Sequence, residues 1–199
     1  MSARTRIQRL SGREINPYLP DLARLRIQVF REYPYLYEGS SDYEERYLKT
    51  YASVPESVMV LVWDNDHVVG ASSGLPLVAE PPEVIAPFVT QGYEPGRLFY
   101  YGESVLLPAY RKAGLGKRFF EEREVHARAL NRFDTVCFCA VKRPADHPRR
   151  PVDYMPLDDF WKRRGFVKHP ELRTTFSWRD VGEPVETPKP MAFWLKALL

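Results

Sequence analysis

The stretch PAYRKAGLGKRFF, Pro108 to Phe120, decides how the rest of the chain is read. It follows FYYGESVLL, a strand-like run ending at Leu107, and leads into GKRFFEEREVHARAL, which has helical spacing. Gly114 and Gly116 remove side chains where backbone must closely approach another group. The first amides of a helix have no intrahelical acceptor, and with the helix dipole they form an anion site. Arg111, Lys112, Lys117 and Arg118 surround this turn with positive charge. The expected occupant is a phosphate or pyrophosphate. The plain alternative is a tight strand-to-helix turn with solvated basic flanks. A P-loop is excluded, because Gly116-Lys117 is followed by Arg118 and position 111 is Arg. A dinucleotide fingerprint is excluded because Phe119 stands where the third glycine belongs.

Working outward, TRIQRL (Thr5 to Leu10) alternates as an edge strand. Pro20 opens a helix with Leu22, Leu25, Arg26, Val29, Phe30 and Tyr33 along one stripe. The aromatic loop YPYLYEGS follows, and Ser41 to Glu44 matches a capping box before a second helix carrying Tyr43, Tyr47, Leu48 and Tyr51. SVMVLVW and HVVGASSGLPL read as a hairpin across the turn DNDH. Pro82 begins a helix that Pro87 should interrupt and Gly92 should end. DTVCFCAVK is a strand and LDDFWKRRGF a short helix closed by Gly165. RTTFSWRD and PKPMAFWLKAL are the last strands. The order predicts one α/β domain over residues 1–199, built on a single mixed sheet.

The chain has 199 residues and a net charge of +3, too small to argue for nucleic acid. Its longest apolar run, Val58 to Trp63, is far too short to span a bilayer. The N-terminal MSARTRIQRLSGRE lacks the apolar core of a signal peptide. With two cysteines, Cys137 and Cys139, on one face of a strand, the expectation is a reducing, cytoplasmic setting and structural packing. No metal set is expected, since Asp146 and His147 have no companions nearby.

The pattern that fits the turn is R-x-x-G-x-G, with Arg111, Gly114 and Gly116. ESVLLPAYRKAGLGKRFF resembles motif A of the GNAT superfamily of acyl-CoA-dependent N-acyltransferases. FWKRRGF, Phe160 to Phe166, resembles that family's f-Y-x-x-x-G-F segment, and the element order matches across nearly the whole chain. The resemblance implies a mostly antiparallel sheet flanked by helices and splayed at its central strands. It implies acetyl-CoA as cosubstrate, its pyrophosphate on the amides of Arg111, Lys112, Ala113, Gly114, Leu115, Gly116 and Lys117. The pantetheine arm would run along the strand end at Val105, Leu106 and Leu107, with Trp161 walling the slot. A backbone amide near Leu106 would polarise the thioester carbonyl.

The implied reaction moves an acetyl group to a primary amine of a small molecule or peptide. Glu103 is the candidate base, as the only carboxylate on its strand; the alternative is pairing with a neighbouring cation. The family's acid tyrosine aligns with Trp161, whose indole cannot supply that proton, so either another group serves, with Tyr154 the candidate, or the thiolate leaves unaided. Tyr35, Tyr37 and Glu38, on the loop between the first two helices, are the candidate acceptor contacts. Lys142-Arg143 and Arg149-Arg150 read as a solvated face, or as contacts to the coenzyme 3′-phosphate. His126 reads as a half-buried histidine with its hydrogen bonds satisfied. By family analogy MAFWLKALL, Met191 to Leu199, would pair across a homodimer. A non-catalytic acyl-CoA-binding regulator is the alternative function.

Overall fold

The computed structural model describes residues 5–198; Met1 to Arg4 and Leu199, which the one-domain reading included, lie outside the described residues. The elements run β1 (Thr5–Leu10), α1 (Leu19–Phe30), α2 (Ser41–Ser53), β2 (Val58–Asp64), β3 (His67–Pro76) and α3 (Pro82–Thr90). They continue as β4 (Leu98–Leu106), α4 (Leu115–Ala129), β5 (Thr135–Val141), α5 (Asp158–Lys162), β6 (Val167–Trp178) and β7 (Thr187–Ala197). The seven strands form one sheet in the order β1-β2-β3-β4-β5-β7-β6. Only β4 and β5 are parallel; every other neighbouring pair is antiparallel. Among the described residues no helix is long and apolar enough to cross a membrane.

Period-two alternation explains how this sheet is covered on both faces. Met59 and Leu61 of β2 pack with Leu22, Leu25, Leu48 and Tyr51 of α1 and α2. Val58, Val60 and Val62 of the same strand pack with Phe119, Phe120 and Ala127 of α4. β2 therefore reads as an unbroken apolar run, as a strand buried on both sides must. A third cluster joins Val84 and Phe88 of α3 to Cys137, Cys139 and Phe193. Both cysteines are free and buried on one face, and burial pushes the Cys139 thiol up to about 12. They are packing residues.

Four local expectations change. Pro87 lies inside α3 without interrupting it. A proline cannot donate to the carbonyl four residues back, and here the Thr174 hydroxyl of β6 supplies that bond to the Glu83 carbonyl at 2.7 Å. The capping box at Ser41 does not form, because Ser40 is the N-cap and the Glu44 side chain turns inward to Arg26. Tyr33 lies beyond the end of α1. Strand β6 begins at Val167, well before RTTFSWRD.

The expected dimer strand is also corrected. β7 is hydrogen-bonded to β5 on one side and β6 on the other. From Met191 to Leu195 both edges are used within the chain, which leaves that run no free edge for a second copy.

Candidate functional site

Strands β4 and β5 pair over only three positions, Leu98 with Thr135, Phe99 with Val136 and Tyr100 with Cys137. Beyond Tyr100 and Cys137 the two strands no longer pair with each other, which opens a wedge in the middle of the sheet. The amide of Leu107 donates to Val69 of β3 at 3.0 Å. Strand alternation therefore turns the Leu106 amide to the opposite edge, into the wedge. Val105 pairs with Ala71, and its side chain packs on the α1 side of the sheet.

The glycine turn closes one end of this wedge. Gly114 caps α4 with φ +80°, a left-handed conformation in which glycine is unstrained. A Cβ on Gly114 would meet nothing, and one on Gly116 would reach only the Phe160 ring at 3.4 Å. The space over both residues is open. Arg111 donates its amide to Pro108, and Lys117 donates to Gly114. Among the described residues, no acceptor takes the amides of Lys112, Ala113, Gly114, Leu115 or Gly116. The seven expected anion donors are thus five.

The basic side chains divide as well. Arg111 folds back to the Leu106 carbonyl (3.0 Å) and to Glu32 (2.8 Å) and so pins the turn to the loop after α1. Lys117 and Arg118 pair along α4 with Glu121 and Glu122. Lys112 has no ion pair among the described residues. Trp161 packs against Phe138 and Trp194 at about 5 Å, beside the wedge rather than across it.

At the other end of the wedge β4 carries a bulge. Ser72 pairs with Ser104 and Gly74 with Tyr101, so two residues of β4, Gly102 and Glu103, oppose Ser73 alone. Strict alternation would put Glu103 on the face of Phe99 and Tyr101, under α4. The extra residue moves it to the opposite face, against α1. Gly102 is required there, since a Cβ would lie 2.0 Å from the Tyr51 hydroxyl oxygen and 2.5 Å from Ser73 Oγ. Ser73 accepts the Glu103 amide at 3.1 Å. Arg123 of α4, fully buried, donates across the bulge to the carbonyls of Ser73 and Glu103, both at 3.2 Å. It has no carboxylate ion pair among the described residues and lies over the rings of Tyr101 and Phe120. Burial lowers its pKa to about 10.

Glu103 is buried and faces Arg26, whose Nη1 lies 2.6 Å from its Oε2, although no well-directed hydrogen bond reaches that oxygen. Arg26 Nε also donates to Glu44, so two carboxylates share one guanidinium. Burial alone would lower the pKa of Arg26, but Glu103, Tyr47 and Glu44 raise it well above its ordinary value. Arg26 and Glu103 line a cavity of about 560 Å³. Its walls include Phe30, Tyr35, Tyr37, Tyr47, Tyr100, Phe176 and Trp178, with Glu80 just before α3 and Glu83 in its first turn. Hydroxyls of Tyr47 and Tyr51 lie 3.1 Å apart, and Tyr51 donates to Glu80 Oε1 at 3.4 Å. Burial, with Glu103 nearby, raises the Glu80 carboxyl from 4.5 to about 7.

A polar clip holds the loop after α1 over this cavity. Arg143 donates to the carbonyls of Pro34 and Tyr35, each at 2.7 Å, and pairs through two nitrogens with Asp180. Trp178 Nε1 also donates to Tyr35, at 3.0 Å. Arg143 is therefore a buried strut, contrary to its reading as a solvated charge. Tyr35 and Tyr37 line the cavity as expected, and burial raises both phenols. Glu38 does not line it, because its carboxylate is turned to Arg31 at 2.5 Å. Tyr154 is also outside the lining; its ring packs on Tyr33 and under Arg150. His126 bonds the Glu56 carbonyl at 2.9 Å, and burial lowers its pKa. Among the described residues no three His, Cys, Asp or Glu side chains converge to hold a metal ion.

Sequence reading missed Arg26 as a charge, Glu44, Glu80 and the Arg143–Asp180 clip. Arg26 left a usable signal, a charged residue on an apolar helix stripe. Glu80 left none.

No family model and no curated protein matches the sequence. Solved structures match the fold. An acetyltransferase from Streptococcus agalactiae superposes with a TM-score of 0.61 at 16% identity over 100% of each chain. The ribosomal-protein-alanine N-acetyltransferase from Brucella melitensis gives 0.62 at 13%, over 97% of this chain and 99% of that one. A GNAT-family acetyltransferase from Streptococcus pneumoniae gives 0.57 at 13%, over 98% and 100%. At such identities the likeness is one of architecture. The protein is a single-domain α/β protein with the GNAT fold.

Proposed function

We propose that this protein is an acetyl-CoA-dependent N-acetyltransferase acting on a primary amine of a small molecule or peptide. The observation that carries the reading is the wedge between β4 and β5. It opens at one end onto five unpartnered backbone amides and at the other onto a cavity with two facing carboxyl groups.

The amides of Lys112 to Gly116, with the Lys112 ammonium, are suited to a pyrophosphate. The Leu106 amide would donate to the thioester oxygen, where negative charge develops. The coenzyme supplies an activated acyl group. The amine nitrogen forms a bond to the acyl carbon, the carbon–sulfur bond breaks, and the proton released by the amine balances the departing thiolate.

The amine must first lose the proton of its ammonium form. Two carboxyl groups are at hand. Glu103 shares Arg26 with Glu44, so its charge is already matched. Glu80 has no ion pair among the described residues and holds its proton up to about pH 7. In this proposal Glu80 takes the proton. Glu103, the base expected from sequence, orients the nitrogen through Oε2. Neither Trp161 nor Tyr154 serves as acid, since an indole does not release its proton and the tyrosine stands outside the cavity.

Calorimetric titration with acetyl-CoA, followed by amine-dependent release of CoA thiol, tests the reading. A one-to-one site lost in Gly116→Leu supports the coenzyme assignment. Absence of binding to folded wild type overturns it. A non-catalytic acyl-CoA-binding protein is the second reading, favoured by the lack of a hydroxyl at Trp161. Tight coenzyme binding without thiol release across a panel of amines would select it.

A further inference from the structure

The cavity under the loop of residues 33–38 has an imbalance of charge. Glu80, Glu83 and Glu103 line it with a single guanidinium, that of Arg26, which Glu44 also engages from behind the wall. Two of these carboxylates, Glu44 and Glu103, are spent on Arg26. Glu103 is nine-tenths or more buried and lines the cavity, yet its Oε2 receives no directed hydrogen bond. That oxygen is held by the ion pair with Arg26 Nη1 at 2.6 Å but has room for a directed donor from a ligand. Glu80 has no ion pair among the described residues, and burial beside Glu103 already favours its protonated form. Both groups gain from a positive charge placed between them.

The rest of the wall specifies what carries that charge. Tyr35 stacks near Trp178 with ring centres 5.9 Å apart, and Tyr100 and Met191 form an apolar floor. Flat rings on several sides suit a flat apolar body, and their faces attract a cation. Apart from Arg26, no Lys, Arg or His lines the cavity, so a ligand carboxylate would find no free cation there. Its approach to the acids would be repelled instead. The volume fits one compact molecule.

We infer that the cavity takes a monocationic primary amine with an aromatic body and no carboxylate, its ammonium between Glu80 and Glu103. This rests on the acetyltransferase reading for its chemical purpose, but not for its measurement. The same pocket would exclude the matching amino acid, which differs only by a carboxylate beside the nitrogen.

The test is direct binding by calorimetry to the full chain, alone and with CoA present. The probes are 2-phenylethylamine, L-phenylalanine and 3-phenylpropanoate. The expected result is saturable one-to-one binding of 2-phenylethylamine, at least tenfold weaker binding of phenylalanine, and none of the propanoate. Glu80→Gln should weaken the amine at least tenfold and leave CoA affinity unchanged. Should that variant fold poorly, Glu83→Gln at the exposed mouth should weaken the amine several-fold. Phenylalanine binding as tightly as the amine, or no amine binding in either state, overturns the inference. Amine binding without any CoA binding leaves the inference standing and removes the acetyltransferase reading. CoA binding without amine binding does the reverse.

Discussion

The glycine turn and the acceptor cavity lie at two ends of one wedge but are built in opposite ways. The turn is local. Pro108 to Gly116 supplies its backbone course, its left-handed glycine and its free amides within a few residues. The cavity is assembled from α1, the loop after it, α2, the start of α3, β4 and β6. Its charges are buried and mutually dependent, whereas those of the turn are exposed. A site made of backbone can lose its ligand without losing the fold. A site made of buried ion pairs serves both, so damage to it should spread.

The largest effect should separate the two ends. Arg26→Met leaves Glu44 and Glu103 buried without their cation, which should cost about 3–5 kcal/mol of stability in chemical denaturation. A loss under about 1 kcal/mol would mean that the network is not holding the fold. Gly116→Leu should do the opposite. It should leave the unfolding midpoint nearly unchanged and weaken acetyl-CoA by tenfold or more, about 1.4 kcal/mol. A large fall in stability there would break the contrast.

Gly102→Ala tests the hinge between the two ends. Its Cβ would collide with the Tyr51 hydroxyl, and overpacking of that kind costs about 1–3 kcal/mol. The accompanying shift of Glu103 should be visible as weakened amine binding with coenzyme affinity intact. Unchanged amine binding would detach Glu103 from the acceptor site.

Glu80 supplies a pH signature. Its carboxyl is raised in the folded state from 4.5 to about 7, so folding favours its protonated form. That contribution to stability is complete below about 4.5 and is lost as pH rises through about 7. Glu80→Gln should therefore gain on wild type in thermal melts as pH rises through this window, then hold level. A difference curve that is flat with pH would show that Glu80 does not titrate there. The smallest effect belongs to Glu38→Gln. Its pair with Arg31 lies on the surface, worth about 0–1 kcal/mol, and should change neither ligand's binding.

These expectations follow how legible each end is in the chain. The motif Arg111, Gly114, Gly116 places the turn because its function is backbone geometry, and glycine spacing encodes backbone geometry directly. Even so, the motif does not show that Arg111 turns away to Glu32 and Leu106. Tyr35 and Tyr37, on the loop singled out in the sequence, line the cavity, whereas Glu38 turns to Arg31 and Tyr154 packs on Tyr33. Their neighbours are distant in sequence, and a side chain's direction depends on those neighbours. Glu44 reads locally as a capping residue and is claimed instead by Arg26 on another helix.

By itself the sequence determined the strands, the helices and the glycine turn, because periodicity, proline and glycine act within a few residues. It also determined that β2 is buried on both faces, through an unbroken apolar run. Only the tertiary structure decided the face of Glu103, since one bulged residue reverses all later alternation along β4. Only it decided that β7 lies inside the sheet, that Arg143 is buried and that Glu80 meets Glu103. Each of these depends on pairings between segments far apart in the chain, which no local pattern records.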